Sequence, residues 1–250
     1  MKRLFTQLRS AILFITILPA GKNVAYSPLG MIKFFPVVGL ILGGMLYLFD
    51  LCMTPFWPPF VVAILDIIFF VIVTGAFHLD GLGDAADGLF SHRPKQRALE
   101  IMKDSRTGMM GLVTIFCVLL IKIGGVYSLK TNGTVFQIFT LLLIVPAYSR
   151  SAMIFGIRFL EYGRKDTGTG LDLFEKAIGL TDFFFVLFPV VISLFLGYKG
   201  LVLNLAFMGT LFLVLWFYKK KLNCITGDML GALCEVTEAV LFLATGAFIF

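Results

Sequence analysis

Between Phe77 and Leu89 the chain reads FHLDGLGDAADGL, with three carboxylates, Asp80, Asp84 and Asp87, set among glycines and alanines after a long apolar run. On a helix, positions i, i+4 and i+7 fall within about 60° of one another, so all three acids would share one face. Three like charges on one face repel unless a cation stands among them. An all-oxygen donor set of this kind suits Mg²⁺. The expected chemistry is metal-assisted, with Asp80, Asp84 and Asp87 as ligands. His78, two residues before Asp80, is placed to orient a carboxylate or carry a proton; His92 reads as solvated.

Three more polar clusters stand out. The stretch RPKQRALEIMKDSRTGMMG (93–111) opens with Pro94, suited to a helix start, and sets Ala98, Ile101 and Met102 as an apolar stripe among charges. It reads as an interfacial helix near 94–106, returning Asp104, Lys103 and Arg106 towards the aspartates. In TGDMLGALCEVTEAVLF (226–242), Asp228, Glu235 and Glu238 lie at i, i+7 and i+10, and Gly227 and Gly231 allow close backbone approach. Each ionisable residue at membrane depth costs about 2.5–3.5 kcal/mol on the mild insertion scale and is functional by default. An ion pair with Arg150 or with one of Lys219, Lys220 and Lys221 is the structural alternative. The last cluster, GRKDTGTGLDLFEKAIG (163–179), reads first as an ordinary loop. Gly163, Gly168 and Gly170 beside Arg164 and Lys165 would also suit a phosphate cradle.

The elements that must position these residues are membrane helices. Of 250 residues 59% are hydrophobic and 14% charged, with mean hydropathy +0.96, against about 25% charged in soluble domains. The fold class expected is all-α: one polytopic helical bundle over residues 1–250. Candidate spans are 32–53, 59–79, 108–129, 134–157, 181–198, 201–218 and 227–249, about seven in all. The apolar core of the N-terminal segment, Ala11 to Leu18, is too short to cross, since spanning takes about 20 residues. It reads as retained and interfacial or re-entrant. The net charge of +6 reflects loops rather than nucleic-acid binding. Basic residues gather in 80–107, 158–180 and 219–226, which the positive-inside rule places in the cytoplasm. Cys52, Cys117, Cys224 and Cys234 show no paired or zinc-like spacing and read as small buried apolar residues.

Acid clusters with Lys and Arg at one membrane face fit a Mg²⁺–diphosphate site, where a carboxylate receives the proton of an attacking alcohol. The candidate catalytic residues are Asp84, Asp104 and His78. The candidate substrate-binding residues are Lys103, Arg106, Arg150, Asp228, Glu235 and Glu238. Which acid is the base stays open. The two acidic clusters are expected to share one cavity, with the Asp84 and Asp228 carboxylates within about 15 Å and Glu235 and Glu238 deeper along its wall.

FHLDGLGDAADGL, RALEIMKDSRTGMMG and TGDMLGALCEVTEA together resemble the cobalamin synthase (adenosylcobinamide-GDP ribazoletransferase) family, and FITILPAG and FFPVVGLILGG are similar to its N-terminal signatures. The resemblance runs from about residue 4 to 240. It implies Mg²⁺-dependent joining of adenosylcobinamide-GDP to α-ribazole or its 5′-phosphate, with release of GMP, on the cytoplasmic side of the inner membrane. The implied partners are those substrates and membrane lipid, without nucleic acid. Self-association or contact with other enzymes of cobalamin synthesis is left open. Two other classes remain to be weighed. A prenyltransferase or CDP-alcohol phosphotransferase would use similar Asp clusters, but the Ala-Arg pair and later paired-Asp stretch of the latter are missing. A cation-coupled transporter would place its acids near mid-membrane.

Overall fold

The computed structural model describes residues 2–21, 24–104, 106–164 and 170–247. Helices account for the regular structure: α1 (Lys2–Ile15), α2 (Pro28–Met31), α3 (Phe35–Met53), α4 (Pro59–Val73), α5 (Phe77–Leu89), α6 (Lys95–Ile101), α7 (Met109–Asn132), α8 (Val135–Phe159), α9 (Leu187–Leu194), α10 (Tyr198–Lys221) and α11 (Gly227–Ala247). Short 3-10 segments cover Ile32–Phe34, Leu171–Phe174 and Leu180–Val186. The only strand-like pairing among the described residues is an isolated bridge between Tyr162 and Ile225.

Five helices are long and apolar enough to cross a membrane, six if the bent pair α4–α5 counts as one span. This is a multi-pass membrane bundle, in which two of the seven expected spans, 59–79 and 181–198, are not formed as single long helices. The 59–79 span stops at Val73, because Gly75 (φ +62°) and Ala76 (φ +56°) take left-handed conformations that end α4 and turn the chain by 90° into α5. The 181–198 span is also broken. Pro189 is tolerated only in the first turn of a helix, so the preceding residues form a 3-10 segment and α9 is left eight residues long. The interfacial helix expected over 94–106 ends at Ile101, leaving Asp104 and Arg106 beyond it. Ala98 and Met102 of its apolar stripe do pack, against Gly88 of α5. The 14 residues of α1 would reach about 21 Å, short of the apolar bilayer core.

Burial separates the centre of the bundle from its rim. The apolar windows of α8 and α11 are 78% buried, whereas those of α7 and α10 are 28% buried. The exposed side of the rim carries Leu112, Phe116, Leu120, Leu205, Phe212 and Leu213, a surface suited to lipid. Cys52 and Cys117 belong to this exposed surface, contrary to the expectation of burial, while Cys224 and Cys234 are buried. Gly39 and Gly43 of α3, four residues apart, lie on the α8 backbone at Pro146–Ala147 and Leu142–Leu143, where any Cβ would collide. Without a hydrophobic drive between helices in lipid, such close backbone approach is a principal source of association. The α5–α11 pair uses the same device. A Cβ on Gly81 would lie 3.0 Å from the Asp228 Cα, and one on Gly231 would lie 3.1 Å from the His78 carbonyl oxygen.

Candidate functional site

The glycine- and alanine-rich sequence of α5 buries almost every residue from His78 to Leu89. Asp80, Asp84 and Asp87 are the exceptions, so the acids form the one open face of the helix. The three do not serve alike. Asp87 accepts the backbone N–H groups of Gly108 (2.6 Å) and Gly111 (2.8 Å), which closes the start of α7. Asp80 and Asp84 enter none of the ion pairs formed among the described residues.

The start of α11 brings a fourth carboxylate. Through the Gly81 contact, Asp228 sits beside α5 about one turn from Asp84, so the two acidic clusters meet at the start of α11. Asp80, Asp87 and Asp228 all act electrostatically on Asp84, and Arg164 is the cation that offsets them. Arg164 donates to Asp228 Oδ2 at 2.5 Å and to the Met102 carbonyl at 3.3 Å, tying α11 to the end of α6. Lys103 and Arg106 were expected to return towards the aspartates, and Arg150 or one of Lys219, Lys220 and Lys221 to pair with the α11 acids; at Asp228 the cation is Arg164. Arg106 pairs with Asp104 at 2.6 Å, both of them exposed. Its hydrogen bonds hold the Asp104 carboxyl down to about 2. Lys103 follows α6 on an exposed turn.

Deeper in the bundle the same face of α11 carries Glu235 and Glu238, and here the expected cleft is corrected. Lys122 of α7 donates to Glu235 Oε2 at 2.5 Å and to Glu238 Oε1 at 2.6 Å. Glu238 Oε2 accepts from Ser149 at 2.9 Å and from Arg150 Nη1. All four charged side chains are 5% exposed or less, and the Arg150 guanidinium also lies over the Phe70 ring at 4.9 Å. Two cations and two anions neutralise one another inside the bundle, so these groups close on themselves rather than line an opening. His78 belongs with them. It is fully buried on the opposite side of α5 from Asp80, in the field of Arg150, Glu238 and Lys122, with neither ring nitrogen hydrogen-bonded. It is not positioned to orient Asp80.

Among the described residues no three acids or histidines stand close enough to hold a metal ion alone. The donor set nonetheless fits Mg²⁺, which keeps several waters and binds through one or two carboxylates plus substrate phosphates. Asp80 and Asp84 offer such a pair, with Asp228 adjacent.

A family model described as cobalamin-5-phosphate synthase matches residues 7–246. The chain belongs to this family. It is 36% identical over 207 residues to an adenosylcobinamide-GDP ribazoletransferase of Acetivibrio thermocellus, covering 82% of each chain. To relatives of that name it is 34% identical in Clostridium botulinum, covering 97% of this chain and 98% of the relative. In Alkaliphilus metalliredigens the figure is 36%, covering 96% of each. No solved structure matches the chain.

In this member of the cobalamin-5-phosphate synthase family, several charged residues carry no mark in the sequence motifs. Lys122 sits within an apparently uninterrupted apolar run, whereas Arg164, named with the glycines of 163–170 as suiting a phosphate cradle, is found paired with Asp228. Residues 165–169 of that segment, including Lys165 and Gly168, lie outside the described residues. At the other end of the bundle, Lys130 pairs with Asp50 and approaches Thr54 at 3.1 Å, with the fully buried Asp66 in the same electrostatic group. The signal that finds Lys122, Lys130, Asp50 and Asp66 is a single charge inside an apolar span.

Proposed function

We propose that this chain joins a GDP-activated corrinoid to a nucleoside: adenosylcobinamide-GDP and α-ribazole, or its 5′-phosphate, give adenosylcobalamin, or its 5′-phosphate, and GMP. The observation that carries the reading is the open Asp80–Asp84 face of α5 packed against Asp228 and Arg164, in a chain of this family. The 3′-hydroxyl of the ribose attacks the phosphorus that bears the cobinamide, a new O–P bond forms, and the bond to GMP breaks. Bound Mg²⁺ supplies charge neutralisation on the diphosphate. Asp80 and Asp84 would hold that cation, Arg164 offsets the charge of Asp228, and Asp84 is the base for the attacking hydroxyl. Asp84 is preferred to Asp104 in that role because it stands in the Asp80–Asp228 group, while Asp104 is paired with Arg106 on the turn after α6. Purified protein in a bilayer, given both substrates and Mg²⁺, should release GMP only when α-ribazole is present. Absence of acceptor-dependent GMP would overturn the assignment.

The site faces the cytoplasm across the inner membrane, as the basic 80–107, 158–180 and 219–226 segments support. In a variant lacking the four native cysteines, Trp57→Cys should react with an impermeant thiol reagent on intact cells. His92→Cys should react only after the cells are opened. The reverse pattern would invert the topology and separate the site from GDP-activated substrate.

A further inference from the structure

A polar cleft of about 680 Å³ opens between α1, the turn around Ser27 and the segment after Phe174. It shares no residue with the Asp80–Asp84–Asp228 group. Arg3, Lys33 and Lys176 line it, and none of the ion pairs formed among the described residues involves any of the three. Two acids also face it. Glu175 is exposed at the rim, and Asp182 is turned to the Gly179 N–H at 3.0 Å. Gln7 of α1 reaches the cleft with only 6% exposure, and its Oε1 is buried without a donor. Gly30 makes room for that amide, since a side chain there would collide with it.

Position relative to the acid site follows from the short 3-10 segment Leu171–Phe174. At its start, Gly170 lies against Gly227, the residue before Asp228. At its end Phe174 packs on Tyr162 at 5.0 Å, two residues from Arg164. Glu175 and Lys176 follow directly, so the cleft lies just across this segment from the proposed reaction centre, and its walls combine three requirements. The cations call for an anion, and Lys and Arg bind phosphate by charge and directed N–H groups. The Gln7 oxygen calls for a hydrogen-bond donor on the same ligand, since a buried acceptor is normally satisfied. The mixed charge at the rim disfavours a bare polyanion.

We infer that this cleft is a second ligand site, taking a phosphate-bearing group that also presents a hydroxyl or ammonium donor. Two sources carry that chemistry: a soluble nucleoside phosphate, or the headgroup of a phospholipid such as phosphatidylglycerol. The inference stands on the cleft and does not depend on the reaction assigned above. The test compares wild-type protein with Lys33→Gln/Lys176→Gln, and separately with Gln7→Leu, which keeps bulk and removes the acceptor. Calorimetric binding of α-ribazole 5′-phosphate and of α-ribazole forms one arm. Phosphatidylglycerol retained from mixed nanodiscs, read by native mass spectrometry, forms the other. A soluble source predicts about ten-fold weaker binding of the phosphate in the double variant with α-ribazole unchanged. A lipid source predicts about ten-fold less retained phosphatidylglycerol with both nucleosides unchanged. Gln7→Leu should weaken whichever probe responds. If neither probe responds in the double variant while its thermal unfolding matches wild type, the inference is wrong. If the double variant does not fold, Gln7→Leu decides alone by the same criteria.

Discussion

Replacing Asp84 by asparagine should lower GMP release by about 100-fold, the scale on which loss of one preorganised charge-stabilising group is usually felt. Asp84 occupies the middle of the open face of α5, with Asp80 a turn before it, Asp87 almost a turn after it and Asp228 alongside. The amide keeps the shape and removes both the metal-binding charge and the proton acceptor. At limiting Mg²⁺ the deficit should be largest, and raising the metal should restore part of it. Asp80→Asn should follow the same pattern. Asp87→Asn provides the contrast: its carboxylate closes the start of α7 through Gly108 and Gly111. Its main effect should be a loss of about 1 kcal/mol of stability. Turnover and Mg²⁺ dependence measured side by side for the three variants decide the matter. Wild-type turnover in Asp84→Asn at limiting Mg²⁺ would remove the α5 face from the chemistry.

The largest effect on stability is expected at Lys122. Lys122→Met leaves Glu235 and Glu238 with Arg150 alone, one negative charge in excess, at positions 5% exposed or less. Removing one partner of a buried ion pair costs about 3–5 kcal/mol, because the orphaned charge stays out of water. Tm in detergent should fall markedly. Lys122→Met/Glu235→Gln returns the cluster to neutrality with Arg150 and Glu238 still paired, so it should recover much of the loss. Recovery in the double variant separates charge balance from simple packing, since the methionine is present in both. A single variant as stable as wild type would mean that water reaches the network and that it contributes little.

Much of this molecule is decided within one turn or one run of residues, and that part was legible in the sequence. Long apolar stretches had to become membrane helices, because a backbone in lipid must satisfy its own hydrogen bonds. The i, i+4, i+7 spacing of Asp80, Asp84 and Asp87 put them on one face, and that face is the open one of α5. Gly231 marked a close helix approach, and the motifs of residues 77–89, 97–111 and 226–239 carried the family. Local signals also existed for the break after Val73 and for the short α9. Gly75 and Pro189 supplied them, but the surrounding hydropathy concealed them.

Which charges meet was a different matter: the sequence offered Arg150 as one partner for the α11 acids, and tertiary packing decided the rest. Asp228 and Arg164 are 64 residues apart, and Lys122 and Glu238 are 116 apart. Periodicity along one helix says which side chains share a face and nothing about which neighbour that face will meet. The α5–α11 approach, made possible by Gly81 and Gly231, set Asp228 beside the aspartates. The packing of α7 and α8 against α11 then gave Glu235 and Glu238 to Lys122 and Arg150. Burying an unpaired charge is costly, but only the helix arrangement determined that Asp228, Glu235 and Glu238 meet Arg164, Lys122 and Arg150, leaving Asp80 and Asp84 on the α5 face open to a ligand.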